Sequence, residues 1–246
     1  MDIILIPGLW LTARSWDDVV PHLEEAGHTA HPITLPGMHL VDADRSGVTR
    51  QDHVDAVVTA IDDVPGDDSY DRDDRDDRDD KVLLVGHSMG GVLAWAAADA
   101  RLARVAGVVF LASEPGIPEP SESMFPVDGD EVPLPAWDFF DDEMVADLDA
   151  DLRDHIRAGS VPSPLKAVTD GLSFGQDALY DVPVTMITAE YDSEQLQKWS
   201  DAGEPGTEEL ARLRKVEWVD LHSGHWPQYS RADDTARLII EAASRT

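Results

Sequence analysis

The chain has 246 residues, 42% of them hydrophobic, and a formal charge of −31 at pH 7. That length and apolar content suffice for one sizeable core, while so negative a surface argues against nucleic acid and anionic membrane as partners. Cysteine is absent, which excludes disulfides and thiolate zinc sites.

Taken in chain order, the opening MDIILIPG carries no basic leader and reads as a first strand, Ile3 to Ile6. No stretch approaches the roughly 20 apolar residues of a membrane span, and a cytoplasmic location is expected. The segment SWDDVVPHLEEAG suits a helix that Ser15 caps and Gly27 ends, with Pro21 either kinking it or marking its start. A weaker strand follows at Thr29 to Ile33. The run from Asp52 to Asp63 places Val54, Val57, Val58 and Ile61 on one helical face. The repeat DRDDRDDRDD, Asp71 to Asp80, has no core-forming residue and reads as a solvated loop, about 66–81. Its seven aspartates and three arginines hold only −4 of the charge, so acidity belongs to the whole surface. That acidity suits either solubility or a high-salt habitat.

Val82 to Val85, Val108 to Leu111 and Val184 to Ile187 are short β-branched runs of the kind buried on both faces of a parallel sheet. Met89 to Ala103 and Asp233 to Ala243 read as helices, and KVEWVDL, Lys215 to Leu221, as a strand nearer an edge. Strand and helix alternate, which predicts one layered α/β domain over residues 1–246. Between Ser113 and Asp181 prolines cluster around the aromatic stretch AWDFF and a helical run, Glu143 to Ala158. This stretch, about 113–181, reads as an insertion forming a small helical cap.

The chemistry centres on Gly86-His87-Ser88-Met89-Gly90, which fits G-x-S-x-G between a buried strand and a helix. A sharp turn there lifts the serine above the sheet, and flanking side chains would collide with neighbouring elements. A serine hydroxyl needs a base. His225, in the loop SGHWP after the strand KVEWVDL, is the expected base, with His222 as its fallback; His87 is read as a packing residue. Asp192, after the run VPVTMITAE, is the expected carboxylate, with Glu190 and Glu194 as near rivals. The Met89 backbone N–H should be one oxyanion donor, and Leu9 N–H, before Trp10 N–H, the other. Trp10, Met124, Phe125, Trp137, Phe139, Phe140 and Trp226 are the expected lining of an apolar pocket, or simply core packing.

These motifs (ILIPGLW, the helix after it, LPGM, GHSMGG and GHWPQYSRADD) resemble the α/β-hydrolase superfamily, and within it the small methyl esterase and hydroxynitrile lyase group. The resemblance implies an α/β-hydrolase fold: a mostly parallel central sheet, helices on both faces and a small helical cap. It also implies a serine hydrolase cleaving carboxylic esters of small, largely apolar molecules through an acyl-enzyme. No cofactor or metal is expected, and the protein would be a monomer or homodimer. Hydroxynitrile lyases of the group carry threonine where this chain has Gly8, and lysine where it has Trp226, so the resemblance favours ester hydrolysis. Many relatives have histidine at the position of Pro7. A lyase or C–C bond hydrolase using the same triad, and a silent receptor that only binds a small molecule, are the alternatives.

Overall fold

The computed structural model describes residues 1–65, 81–116 and 122–246. Six strands form a wholly parallel sheet: β1 (Asp2–Ile6), β2 (Thr29–Pro32), β3 (Val82–His87), β4 (Val105–Leu111), β7 (Val184–Thr188) and β8 (Val216–Asp220), in the order β2-β1-β3-β4-β7-β8. The central strands read as continuous apolar runs because both faces are covered, and β3 and β4 are buried along their whole length. Alternate side chains feed opposite layers. Ile4, Ile6, Leu84, Phe110 and Met186 face α2 (Arg50–Asp63), α3 (Met89–Ala100) and α6 (Ser193–Ala202). Ile3, Leu5, Leu83, Val85, Val109 and Leu111 face α1 (Val20–Glu25) and α8 (Ala232–Ala243).

The first helix departs from its expected extent. A 3-10 turn occupies Ala13–Trp16, and α1 begins at Val20 with Pro21 in its first turn. A proline there removes an N–H that would have had no partner, so it starts the helix instead of kinking it. Ser15 caps nothing; Thr12 does, and the Ser15 hydroxyl donates to the Thr12 carbonyl. Helix α2 starts two residues earlier than expected, because Thr49 and Asp52 close a capping box at its N-terminus.

Between β4 and β7 the chain leaves the sheet. It forms β5 (Glu131–Val132) and β6 (Ser163–Pro164) as an antiparallel pair, α4 (Ala150–Gly159) and α5 (Leu165–Thr169). Helix α4 is shorter than the expected Glu143 to Ala158 run, since Asp149 caps it and the preceding residues turn. A third hydrophobic cluster gathers here around Trp10, Val132, Phe140, Val145, Leu148, Ile156 and Trp226. Buried or partly buried arginines tie these pieces together by donating to backbone carbonyls: Arg50 to Ala167 and Val168, Arg153 to Leu148 and Val145, Arg157 to Pro135. The Asp71 to Asp80 run lies outside the described residues.

All six strands point the same way, so their C-terminal ends share one edge. Strand order reverses between β1 and β3, which opens a crevice at that edge, where ligands bind in open α/β sheets. The loops carrying Leu9, Ser88, Glu114, Glu190 and His225 all emerge there.

Candidate active site

Ser88 sits where β3 turns into α3, with φ 52 and ψ −127, a conformation that non-glycine residues seldom adopt. Its flanks explain how the strain is held. A Cβ on Gly86 would lie 2.4 Å from the Gly90 carbonyl carbon, and one on Gly90 would lie 2.4 Å from the Ile6 oxygen. Ser88 N–H donates to the Leu111 carbonyl, and Ser113 Oγ donates to the Ser88 carbonyl. The turn is therefore fixed from the end of β4, with the hydroxyl at the sheet edge.

His225 Nε2 lies 3.0 Å from Ser88 Oγ. His225 Nδ1 lies 2.7 Å from Oε1 of Glu190, two residues beyond β7. The expected carboxylate, Asp192, is elsewhere: it is the N-cap of α6, its Oδ1 accepting from Gln195 N–H at 2.7 Å. It is His225, not the fallback histidine His222, that bonds Ser88 Oγ; His222 holds a positive φ of 51 in the loop after β8. The signal for Glu190 was present in DSEQLQKW, where an aspartate directly before a helical run is a cap. Burial pushes the Glu190 carboxyl up, but the hydrogen bond and charge of His225 outweigh it, and its pKa falls below the ordinary value. Glu190 is thus ionised and fixes the His225 proton on Nδ1, leaving Nε2 to accept from the serine.

His87 and Gln228 set the backbone of His225. Gln228 Nε2 donates to His87 Nδ1 at 3.1 Å, so the His87 proton is on Nε2, which donates to the His225 carbonyl at 2.6 Å. Burial first, and the neighbouring His225 second, bring the His87 pKa down to about 3, so its ring stays neutral. From the other side, His225 N–H donates to the Met144 carbonyl at 2.8 Å.

The loop after β1 lies against the elbow: a Cβ on Gly8 would be 2.9 Å from Ser88 Cβ. Trp10 is fully engaged, its N–H donating to Ser163 Oγ at 2.9 Å, its indole to the Val132 carbonyl at 3.0 Å, and its carbonyl accepting from Val161. The Leu9 and Met89 N–H groups have no acceptor among the described residues.

The expected pocket residues do not line the cavity at Ser88. Trp10, Phe125, Trp137, Phe139, Phe140 and Trp226 pack on one another, with ring centroids 4.9 to 5.9 Å apart. Met124 is 77% exposed. The cavity itself, about 260 Å³, is lined by Ser88, Met89, Val92, Ala112, Ser113, Glu114, Gly116, Glu190, Tyr191 and His225. It is more polar than expected, because Glu114 and Tyr191 form part of its wall.

A serine at a strand-to-helix elbow, a histidine on its hydroxyl and a carboxylate behind the histidine thus form one hydrogen-bonded line at the edge of a parallel α/β sheet. The chain belongs to the alpha/beta hydrolase family, whose model matches residues 3–238. Methylesterase 7 of Arabidopsis thaliana is 32% identical over 125 residues, which cover 50% of this chain and 44% of that protein. Methylesterase 4 of the same plant is 31% identical over 110 residues, 44% of this chain and 37% of that protein. The match thus spans less than half the length of either relative. Among solved structures, a methylesterase from Arabidopsis superposes over 100% of both chains with TM-score 0.72 at 18% identity. A pyrethroid hydrolase from Sphingobium faniae covers 99% of this chain and 97% of its own, with TM-score 0.71 at 21% identity. At such identities these two establish the shared fold alone.

Proposed function

We propose that the protein is a serine esterase acting on small carboxylic esters through an acyl-enzyme. The hydrogen-bonded chain Ser88–His225–Glu190, opening on a cavity at the sheet edge, carries this reading. His225 takes the Ser88 proton as Oγ attacks the ester carbonyl, and Glu190 stabilises the imidazolium. The Leu9 and Met89 N–H groups hold the oxyanion, the second aided by the N-terminus of α3. His225 then passes its proton to the leaving alcohol and activates the water that frees the acid. The methylesterase relatives support esters as the substrate class.

Ser88→Ala is expected to lower turnover of p-nitrophenyl acetate by at least ~1000-fold and to abolish labelling by a fluorophosphonate. Undiminished hydrolysis in that variant would end the serine reading. Parallel assays with cyanohydrin and β-diketone substrates separate an esterase from a lyase or C–C bond hydrolase.

A further inference from the structure

Glu114 follows β4 by three residues and carries a carboxyl that the catalytic chain does not use. Tyr191 OH donates to its Oε2 at 2.8 Å, and its other oxygen has no partner among the described residues. Both residues line the same cavity as Ser88 and His225. The remaining wall is apolar or already committed: Val92 and Ala112 have no polar side-chain atoms, Ser113 Oγ is bonded to the Ser88 carbonyl, and Glu190 is bonded to His225. Among the described residues, no lysine or arginine lines it.

We infer that Glu114 selects substrate by charge, so that the cavity favours an ester bearing an ammonium group and turns away one bearing a carboxylate. This rests on the serine-esterase reading. Two carboxyls, with no lysine or arginine beside them among the described residues, form a wall that attracts an organic cation by ion pairing. A carboxylate brought beside Glu114 meets that carboxyl with no lysine or arginine among the described residues to neutralise it. The surface charge of −31 adds to the effect by concentrating cations around the molecule. Burial, reinforced by the charge of Glu190, holds the Glu114 carboxyl above its ordinary pKa, against the opposing Tyr191 bond. An incoming ammonium reverses that balance and draws Glu114 into its ionised form.

The test uses two pairs of esters that differ only in replacing a quaternary nitrogen by carbon: acetylcholine with 3,3-dimethylbutyl acetate, and betaine methyl ester with methyl 3,3-dimethylbutanoate. In each pair the cation-to-neutral ratio of kcat/KM is measured at low salt in the wild type and in Glu114→Gln; comparing the ratios removes intrinsic reactivity. The expected result is a fall of at least fivefold in one pair or both. A smaller change in both pairs overturns the inference. A second measurement needs no substitution: choline should inhibit wild-type hydrolysis of p-nitrophenyl acetate at least fivefold more tightly than 3,3-dimethylbutanol, and a smaller difference overturns the idea equally. Wild-type turnover of p-nitrophenyl acetate keeps the two readings apart. Its absence removes the esterase reading, whereas an active enzyme indifferent to charge removes only the role of Glu114.

Discussion

Glu190 and Asp192 stand two residues apart after the same strand, yet their roles are opposite. One side chain turns in to His225; the other turns out to close the first turn of α6. Glu190→Gln should lower kcat by roughly 1000-fold, because an amide can present the wrong partner to Nδ1 and cannot stabilise the imidazolium. Asp192→Ala should change kcat by less than about threefold and reduce stability by ~1 kcal/mol through the lost cap. Steady-state kinetics and urea denaturation of the two variants separate these outcomes. His87 leads to a second expectation at this scale. Its folded pKa of about 3 lies below the ordinary histidine value, so the unfolded chain binds the proton first as pH falls. Stability from this residue is complete above the unfolded pKa of about 6.5 and is lost progressively as pH drops toward the folded value. His87→Gln should flatten that part of the curve of denaturant midpoint against pH; a slope identical to wild type would contradict the neutral, buried ring.

At the scale of elements, the elbow depends on two chain segments touching where only hydrogen fits. Gly90→Ala places a methyl group against the Ile6 carbonyl, which belongs to the backbone of β1 and cannot step aside. The variant should lose at least ~2 kcal/mol of stability, as overpacking of a tight site does, and with it most esterase turnover. Thermal unfolding and activity measured together check it. The elbow was legible in the sequence because its constraint is local: strand, glycine, serine, glycine and helix follow one another within a dozen residues. The aromatic side chains of AWDFF were less so. Their hydrophobicity suited a core or a pocket wall alike, and where Trp137 and Phe140 would pack depended on Trp10 and Trp226, more than eighty residues away on either side, while Phe139 stays 46% exposed. They pack into a cluster that ties the segment between β4 and β7 to the loops after β1 and β8, and the cavity wall is formed instead by residues that follow β3, β4, β7 and β8.

For the whole molecule, charge is the dominant property. Fifty acidic residues against nineteen basic ones repel one another in the folded state more than in the expanded one. At 0.15 M salt the screening length is about 8 Å, so added salt weakens that repulsion across the surface. The melting temperature should therefore rise as sodium chloride increases from 10 mM to 0.5 M, measured by differential scanning calorimetry. A fall over that range would show that surface ion pairs outweigh the repulsion. The guanidinium-to-carbonyl ties of Arg50, Arg153 and Arg157 are partly or wholly sheltered and are less exposed to this screening.

Strand runs, helix faces, the glycine-fenced serine and the absence of any long apolar span follow from composition and periodicity, which act over a few residues at a time. From them came the α/β class, the parallel sheet and the candidates Ser88 and His225. Which carboxylate reaches His225, where the aromatic rings settle and what lines the cavity were decided only in three dimensions. Parallel strands bring residues from distant parts of the chain to one edge, and a side chain's direction there is set by the neighbours it meets, which no local spacing records.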